Sequence, residues 1–256
     1  MLTDKVIFVT GAGRGMGRGI AEALADAGAD VVVGDLALPP VEETARLVEQ
    51  RGRRALATVL DITRPDTVEA AFARAVQVFG RLDGLVNNAG IVRMDPALEA
   101  RQEDWEAQLQ VNVIGLFTCC QVAARQMIRQ GGGAIVNIAS NAGKVGFPNM
   151  VGYNAGKAAV INITRSLSTE WAAYTINVNA VCPGGVDTDM LMDVARWVTA
   201  RVGGAPEELV KAMKPKQMLR HVQPIEVGRV VAFLLSDQAT IIRGQSINVD
   251  GGDTPY

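Results

Sequence analysis

Histidine is almost absent from this chain: one, His221, stands among 256 residues. A histidine-based triad or a multi-histidine metal site would have to be built around that residue alone, and no metal-ligand spacing of cysteine and histidine accompanies it. His221 therefore reads as a surface or loop residue, and no metal site is expected. Cysteine is nearly as scarce. The three present, Cys119, Cys120 and Cys182, are an odd number, and the first two are neighbours on an expected helix, where side chains diverge. Reduced thiols in a cytoplasmic protein fit best, with Cys182 a small buried hydrophobe rather than a reactive thiol. Charge of one sign is missing too, since the formal net charge is -2. That balance leaves no electrostatic footprint for nucleic acid or for an anionic membrane. The apolar opening, Met1 to Thr10, is too short to span a bilayer, lacks a basic lead-in and runs into glycines, so it reads as a first strand and not a signal peptide. With no Pro/Ser-rich linker, like-charge block or fixed-period repeat, a single domain over 1–256 is expected.

What the chain does have is alternation. Short β-branched runs recur at Val6 to Thr10, Val31 to Asp35, Ala55 to Leu60, Leu85 to Asn87, Ala134 to Ile138, Ile176 to Cys182 and Ser246 to Val249. Helical patterns lie between them, among them Arg18 to Ala27 ending at Gly28, Pro65 to Phe79 ending at Gly80, and Gly152 to Ala173 after the loop around Pro148. Strand and helix in turn mean βαβ units, and right-handed crossovers put helices on both faces of one parallel sheet. The expected fold class is α/β, a single-domain doubly wound parallel sheet of about seven strands. Such sheets hold ligands beyond the carboxyl ends of their strands, where the winding reverses, and the unusual residues of this chain cluster there.

The first cluster is Thr10-Gly11-Ala12-Gly13-Arg14-Gly15-Met16-Gly17, between the first strand and the first helix. Glycines there allow a tight turn and let the backbone approach a pyrophosphate at the positive end of the helix. Alone the pattern is weak; an acid, Asp35, at the end of the second strand, about 20 residues on, makes it a dinucleotide-binding signature. A carboxylate there accepts hydrogen bonds from both ribose hydroxyls of NAD, whereas a 2′-phosphate would meet like charge. Arg14 is the competing sign, because a guanidinium can clasp a phosphate. The next residue is Leu36 and not a second cation, so NAD(H) is expected over NADP(H).

The second cluster is Ser140, Tyr153 and Lys157. The last two are four apart on one face of the helix after the fifth strand, and Ser140 lies just beyond that strand, thirteen residues before Tyr153. A tyrosine hydroxyl, with an ordinary pKa of about 10, is a poor base at neutral pH, and a neighbouring ammonium favours its phenolate. Tyr153 could then accept an alcohol's proton or return it to a ketone, while Ser140 holds the substrate oxygen and Lys157 also holds the ribose hydroxyls. By spacing alone a tyrosine and a lysine four apart are an ordinary surface pair. The glycine loop in the same chain changes that reading.

Together these motifs resemble the short-chain dehydrogenase/reductase family across essentially the whole length: Thr10-Gly-x-x-x-Gly15-x-Gly17, Asn87-Asn88-Ala89-Gly90 after the fourth strand, Asn112 in the next helix, Ser140, Tyr153-x-x-x-Lys157, and Pro183-Gly184 after the sixth strand. The resemblance implies a Rossmann-type fold and a catalytic set of Asn112, Ser140, Tyr153 and Lys157, with Asn112 anchoring a water that links Lys157 to a proton relay. It implies a cofactor site of Gly11, Arg14, Gly15, Met16, Gly17 and Asp35, with Asp61 and Ile62 beside the adenine and Asn88, Ala89 and Gly90 along the adenosine. Tyr153 and Lys157 belong to that site as well, as do Pro183, Gly184, Val186 and Thr188 near the carboxamide, Val186 through its backbone. A homotetramer is implied, and a small-molecule alcohol or ketone as substrate. One departure is Gly156, where many relatives have serine.

Weaker signals remain. Met190 to Val198 has apolar residues at helical spacing, which fits core or interface packing; the resemblance implies instead a substrate lid around 189–215, with Gly203-Gly204 supplying local freedom. Phe147, Met150, Met190 and Leu191 would wall the substrate, with Asn141, Asn149 and Arg93 as polar handles. Asp104 to Arg129 and Gly152 to Ala173 are longer than the sheet needs, and their extra apolar positions suggest a helix-pair interface, with Asn248 to Tyr256 near it. Two other functions share the motifs. Lys211, Lys214, Lys216 and Arg220 form a loose basic cluster that would suit a β-ketoacyl reductase meeting an acidic carrier protein. A non-catalytic nucleotide sensor would need the glycine loop but not Tyr153 and Lys157. The leading expectation is an NAD(H)-dependent oxidoreductase of secondary alcohols, polyols or diols and their ketones.

Overall fold

In the computed structural model, which describes residues 1–254, every side chain of β1 (Val6–Thr10) is buried. Successive strand residues point to opposite faces, so Val6 and Phe8 enter one core and Ile7 and Val9 the other. A strand apolar on both faces needs helices on both sides, and the chain supplies them in order. After β1 come α1 (Gly15–Asp26), β2 (Asp30–Asp35), α2 (Leu38–Glu49), β3 (Ala55–Val59), α3 (Pro65–Phe79) and β4 (Gly84–Asn87). Then follow α4 (Gln102–Leu109), α5 (Leu116–Gln130), β5 (Gly133–Ile138), α6 (Val151–Glu170), β6 (Ile176–Pro183), α7 (Asp189–Val202), α8 (Pro206–Ala212), α9 (Pro224–Leu235) and β7 (Ser246–Val249).

The seven strands form one parallel sheet in the order β3-β2-β1-β4-β5-β6-β7. β1 pairs with β2 on one side, Phe8 opposite Val32, and with β4 on the other, Phe8 opposite Leu85. The winding therefore reverses between β1 and β4, and a crevice opens beyond their carboxyl ends. The doubly wound α/β sheet read from the sequence is the observed one.

Phe8 stacks on Phe72 of α3, ring centroids 4.3 Å apart and planes within 5°. Leu116, Cys119, Cys120 and Met127 of α5 and Val160 and Ile161 of α6 fill the same core. On the other face Ile20 and Leu24 of α1 and Val227 and Val231 of α9 cover Ile7, Val9, Val31 and Val136. All three cysteines are free and buried, and burial pushes the Cys119 thiol up and that of Cys120 to about 12.

Three helices, α2, α8 and α9, lie in the expected intervals between strands but were given no bounds from the sequence pattern. α9 starts with Pro224 in its first turn and a capping box in which Glu226 answers Gln223. The helix expected over Asp104 to Arg129 starts at Gln102 and is interrupted by a π turn at Gln110–Gly115. By length and composition Gln102–Gln130 is apolar enough to cross a membrane, yet its inward residues, Leu116 and Cys119 among them, are part of the core. Of the closing segment, Asp250 is buried and accepts from the main-chain amides of Gly252 and Thr254; Pro255 and Tyr256 lie outside the described residues.

Candidate active site

β1 hands over to α1 through a loop whose glycines are required by contact. A Cβ on Gly17 would stand 2.1 Å from the Gly11 carbonyl oxygen and 2.5 Å from Asn88 Nδ2. The loop is braced from the end of β4: Asn88 Nδ2 donates to the carbonyls of Thr10 and Gly11 at 3.0 and 2.8 Å. Thr10 Oγ1 accepts in return from the amides of Asn88 and Ala89, at 3.1 Å each. The Asn88 side chain, expected along an adenosine, is thus spent on the loop. α1 starts with no side-chain cap and no acid in its first turn. Its free amides and the positive end of its dipole open beyond β1, the donor set that a dinucleotide's pyrophosphate requires. Met16 packs partly against the core on the α1 face.

Asp35, at the end of β2, accepts from the amides of Gly13 at 2.9 Å and Leu36 at 2.7 Å. Arg14, the cation expected to compete with it, points elsewhere: its guanidinium stands 3.4 Å from Asp189 at the start of α7, both side chains exposed. Asp61 holds its own turn, accepting from the amide and hydroxyl of Thr63 at 2.9 and 2.7 Å, with Ile62 buried next to it.

Ser140 leaves β5 in extended conformation and begins a short turn over Asn141–Gly143; its Oγ accepts from Ala142 N at 3.1 Å. Lys157, 4% exposed, donates to the Ile138 carbonyl at 2.7 Å and carries its Nζ 5.7 Å from the centre of the Tyr153 ring. Burial pulls the Lys157 ammonium down to about 8 and pushes the Tyr153 phenol above its ordinary value, the Ser140 hydroxyl acting the other way. Loss of water is the larger influence on this phenol. Asn112 sits in the π turn, not in a regular helix. Its amide accepts from Ile91 N at 2.9 Å and donates to Ile91 O at 2.8 Å, which clamps the segment after Gly90 near Lys157. Beyond β6, Val186 N donates to the Gly184 carbonyl at 2.9 Å and Val186 O accepts from Thr188 Oγ1 at 3.3 Å. Val186, expected to face a carboxamide through its backbone, braces its own loop with these two contacts.

A profile of the short chain dehydrogenase family matches residues 5–199. The chain belongs to that family. This dehydrogenase is 40% identical over 253 residues to a cis-4-hydroxycyclohexanecarboxylate dehydrogenase of Sinomonas cyclohexanicum, an alignment covering 98% of this chain and 97% of that one. It is similar to NAD+-bound xylitol dehydrogenase, with a TM-score of 0.92, 33% identity and 98% and 99% of the two chains covered. It resembles equally a variant of actinorhodin polyketide ketoreductase with NADPH, with a TM-score of 0.94, 33% identity and both chains covered completely. Its relatives are oxidoreductases of alcohol and ketone groups that work with a nicotinamide cofactor, and this chain is an oxidoreductase of that kind.

Around the dehydrogenase's core set, the flanking segments are thinly packed or held by local contacts. α8 buries no side chain and α7 only Ala195 and Thr199, while Gly203 and Gly204 between them have φ of 82° and 101°. Phe147 and Met190 are exposed. Asn149 takes a left-handed φ of 62°, its carbonyl accepting from Asp95 N at 2.9 Å. The basic cluster is half neutralised, since Lys211 pairs with Glu208 at 2.7 Å and Arg220 meets both oxygens of Glu226 at 2.7 Å, drawing that carboxyl down to about 2. Gln108 was not singled out in the sequence, and His221, read there as a surface or loop residue, is half-buried. Buried Gln108 accepts from Arg93 N at 2.9 Å, and His221 places Nε2 2.9 Å from the Val210 carbonyl and Nδ1 3.4 Å from that of Gly185. Their partners are distant in sequence, so no local pattern could mark them.

Proposed function

We propose that this dehydrogenase moves a hydride between NAD(H) and a secondary alcohol, polyol or diol, or the corresponding ketone, with Tyr153 as acid and base. The observation that carries the reading is the gathering of Ser140, Tyr153 and Lys157 at the carboxyl edge of the sheet, in the crevice opened by the uncapped start of α1. The nicotinamide, when bound, supplies or takes the hydride. The Ser140 hydroxyl donates to the substrate oxygen, and Tyr153 Oη gives that oxygen its proton in reduction and removes it in oxidation. Lys157, fixed by Ile138, holds positive charge beside the ring and reaches the ribose hydroxyls, while Asn112 keeps the Gly90–Ile91 segment in place.

Gly11, Arg14, Gly15, Met16 and Gly17 surround the pyrophosphate in this reading, Asp61 and Ile62 the adenine, Asn88 to Gly90 the adenosine, and Pro183, Gly184, Val186 and Thr188 the carboxamide. Asp35 selects NAD, with Arg14 turned toward Asp189. The thin packing of α7 and α8 supports a lid over 189–215. A homotetramer in a reducing cytoplasm completes the proposal. The likeness to polyketide ketoreductase favours a carrier-linked ketoacyl reductase as the second reading, though among the described residues only Lys214 and Lys216 of the basic cluster keep unpaired charges.

A panel of polyols, diols, secondary alcohols and ketones, followed by nicotinamide absorbance, tests the mechanism. Tyr153→Phe should lower turnover by about a thousandfold while NADH binding, read by fluorescence, persists. Because burial keeps the phenol protonated, wild-type oxidation should also accelerate from neutral to alkaline pH. Turnover surviving in Tyr153→Phe would overturn the assignment.

A further inference from the structure

A cleft of about 640 Å³ lies between α6 and β7, the edge strand of the sheet. Three cations line it, Lys144, Arg165 and Arg243, and no carboxylate does. None of the three forms an ion pair among the described residues. Lys144 Nζ donates to the Ser246 carbonyl at 2.8 Å and Arg243 Nε to the Thr240 carbonyl at 3.0 Å, which fixes both side chains and leaves the ends of the Arg243 guanidinium free. The wall holds hydroxyls as well: Ser168 is buried, and Ser246 Oγ is a buried polar atom without a hydrogen-bond partner. Convergent like charges and an unanswered hydroxyl are each unfavourable until an acceptor of opposite sign joins them.

The geometry points to a second ligand site, in which Lys144, Arg165, Arg243 and Ser246 bind the phosphate group of a small molecule. Two guanidinium forks suit a tetrahedral oxyanion, and three positive charges more than balance its double charge, with the buried Ser246 hydroxyl beside them. The cleft is far larger than a bare ion, so inorganic phosphate and a small phosphate monoester share this chemistry. Neither the hydride-transfer reading nor its residues enter into the site.

The test is thermal unfolding of the full-length enzyme saturated with NADH, so that phosphate cannot act through the dinucleotide crevice. Inorganic phosphate, glucose 6-phosphate and sodium chloride of matched ionic strength form the three arms. Phosphate should raise the unfolding midpoint saturably above the chloride arm. Arg165→Gln, at an exposed position outside the catalytic set, should keep turnover and weaken that response about tenfold, the loss of one charge-assisted contact; adding Arg243→Gln should remove it. A tighter response to glucose 6-phosphate identifies a monoester as the ligand, and a tighter one to inorganic phosphate identifies the free ion. No excess over chloride, or an undiminished response in Arg165→Gln, overturns the proposal. So does a wild type indifferent to phosphate whose double variant loses assembly mass, for then the cations face carboxylates of a second copy.

Discussion

At the scale of single residues, burial and charge pull against each other most openly at Lys157. Burial brings its ammonium down to about 8 from the ordinary lysine value of 10.5. Between those values the unfolded chain binds the more protons, so the stability attributable to this residue rises with pH across that window and is flat below it. Lys157→Met should therefore be more stable than wild type at neutral pH by roughly 1–3 kcal/mol, after allowance for the Ile138 carbonyl it leaves unpaired, and the difference should shrink above pH of about 8. Urea unfolding at neutral and alkaline pH reads it, and a less stable variant at neutral pH would contradict the burial argument. Asp35 braces Gly13, and in the proposed reading it also turns its charge toward the ribose. Asp35→Asn keeps an acceptor and removes the charge, so it should cut the NAD over NADP preference in kcat/KM by about tenfold or more, on the order of 2 kcal/mol. An unchanged ratio would move the selectivity away from this residue.

At the scale of elements, α7 and α8 are the helices least tied to the rest. Their joint, Gly203-Gly204, adopts a backbone that a side chain resists, and His221 pins the distal arm through Val210. Replacing both glycines with alanine should cost about 1 kcal/mol each locally and, on the proposed lid over 189–215, change kcat and KM together, because a lid governs both entry and release. Stopped-flow measurement of the product-release step checks this, and a variant altered only in the chemical step would place the lid elsewhere. The π turn at Gln110–Gly115 is the other telling element, because it is where a continuous helix gives way to seat Asn112 against Ile91.

At the scale of the whole molecule, the outer faces of the long helices leave Ile114 51%, Phe117 37% and Ile128 41% exposed on one segment, with Val151 43% exposed at the start of α6. Such a face fits the helix-pair interface of a closed assembly of identical subunits. Ile114→Arg combined with Phe117→Arg should reduce the mass measured by light scattering from four chains to two or one. A wild type that is already a single chain would remove the tetramer from the proposal.

The seven strands, the crossing helices, the glycine loop and the Tyr153/Lys157 pair were legible because each is written in neighbours: a short β-branched apolar run in β1, helical spacing in α3, four residues between the two side chains. α9 was given no bounds although its cap signals are local, for its run of apolar residues blurs the helical spacing. What the tertiary structure alone decided concerns partners far apart in the chain: Asn88 on Thr10 across 78 residues, Arg14 on Asp189 across 175, Gln108 beneath Arg93, His221 on Val210. It decided as well the direction in which Tyr153 is displaced. Periodicity and spacing act through adjacent residues, whereas the loss of water around a side chain depends on which elements close over it, and that is set only when the sheet and its helices pack.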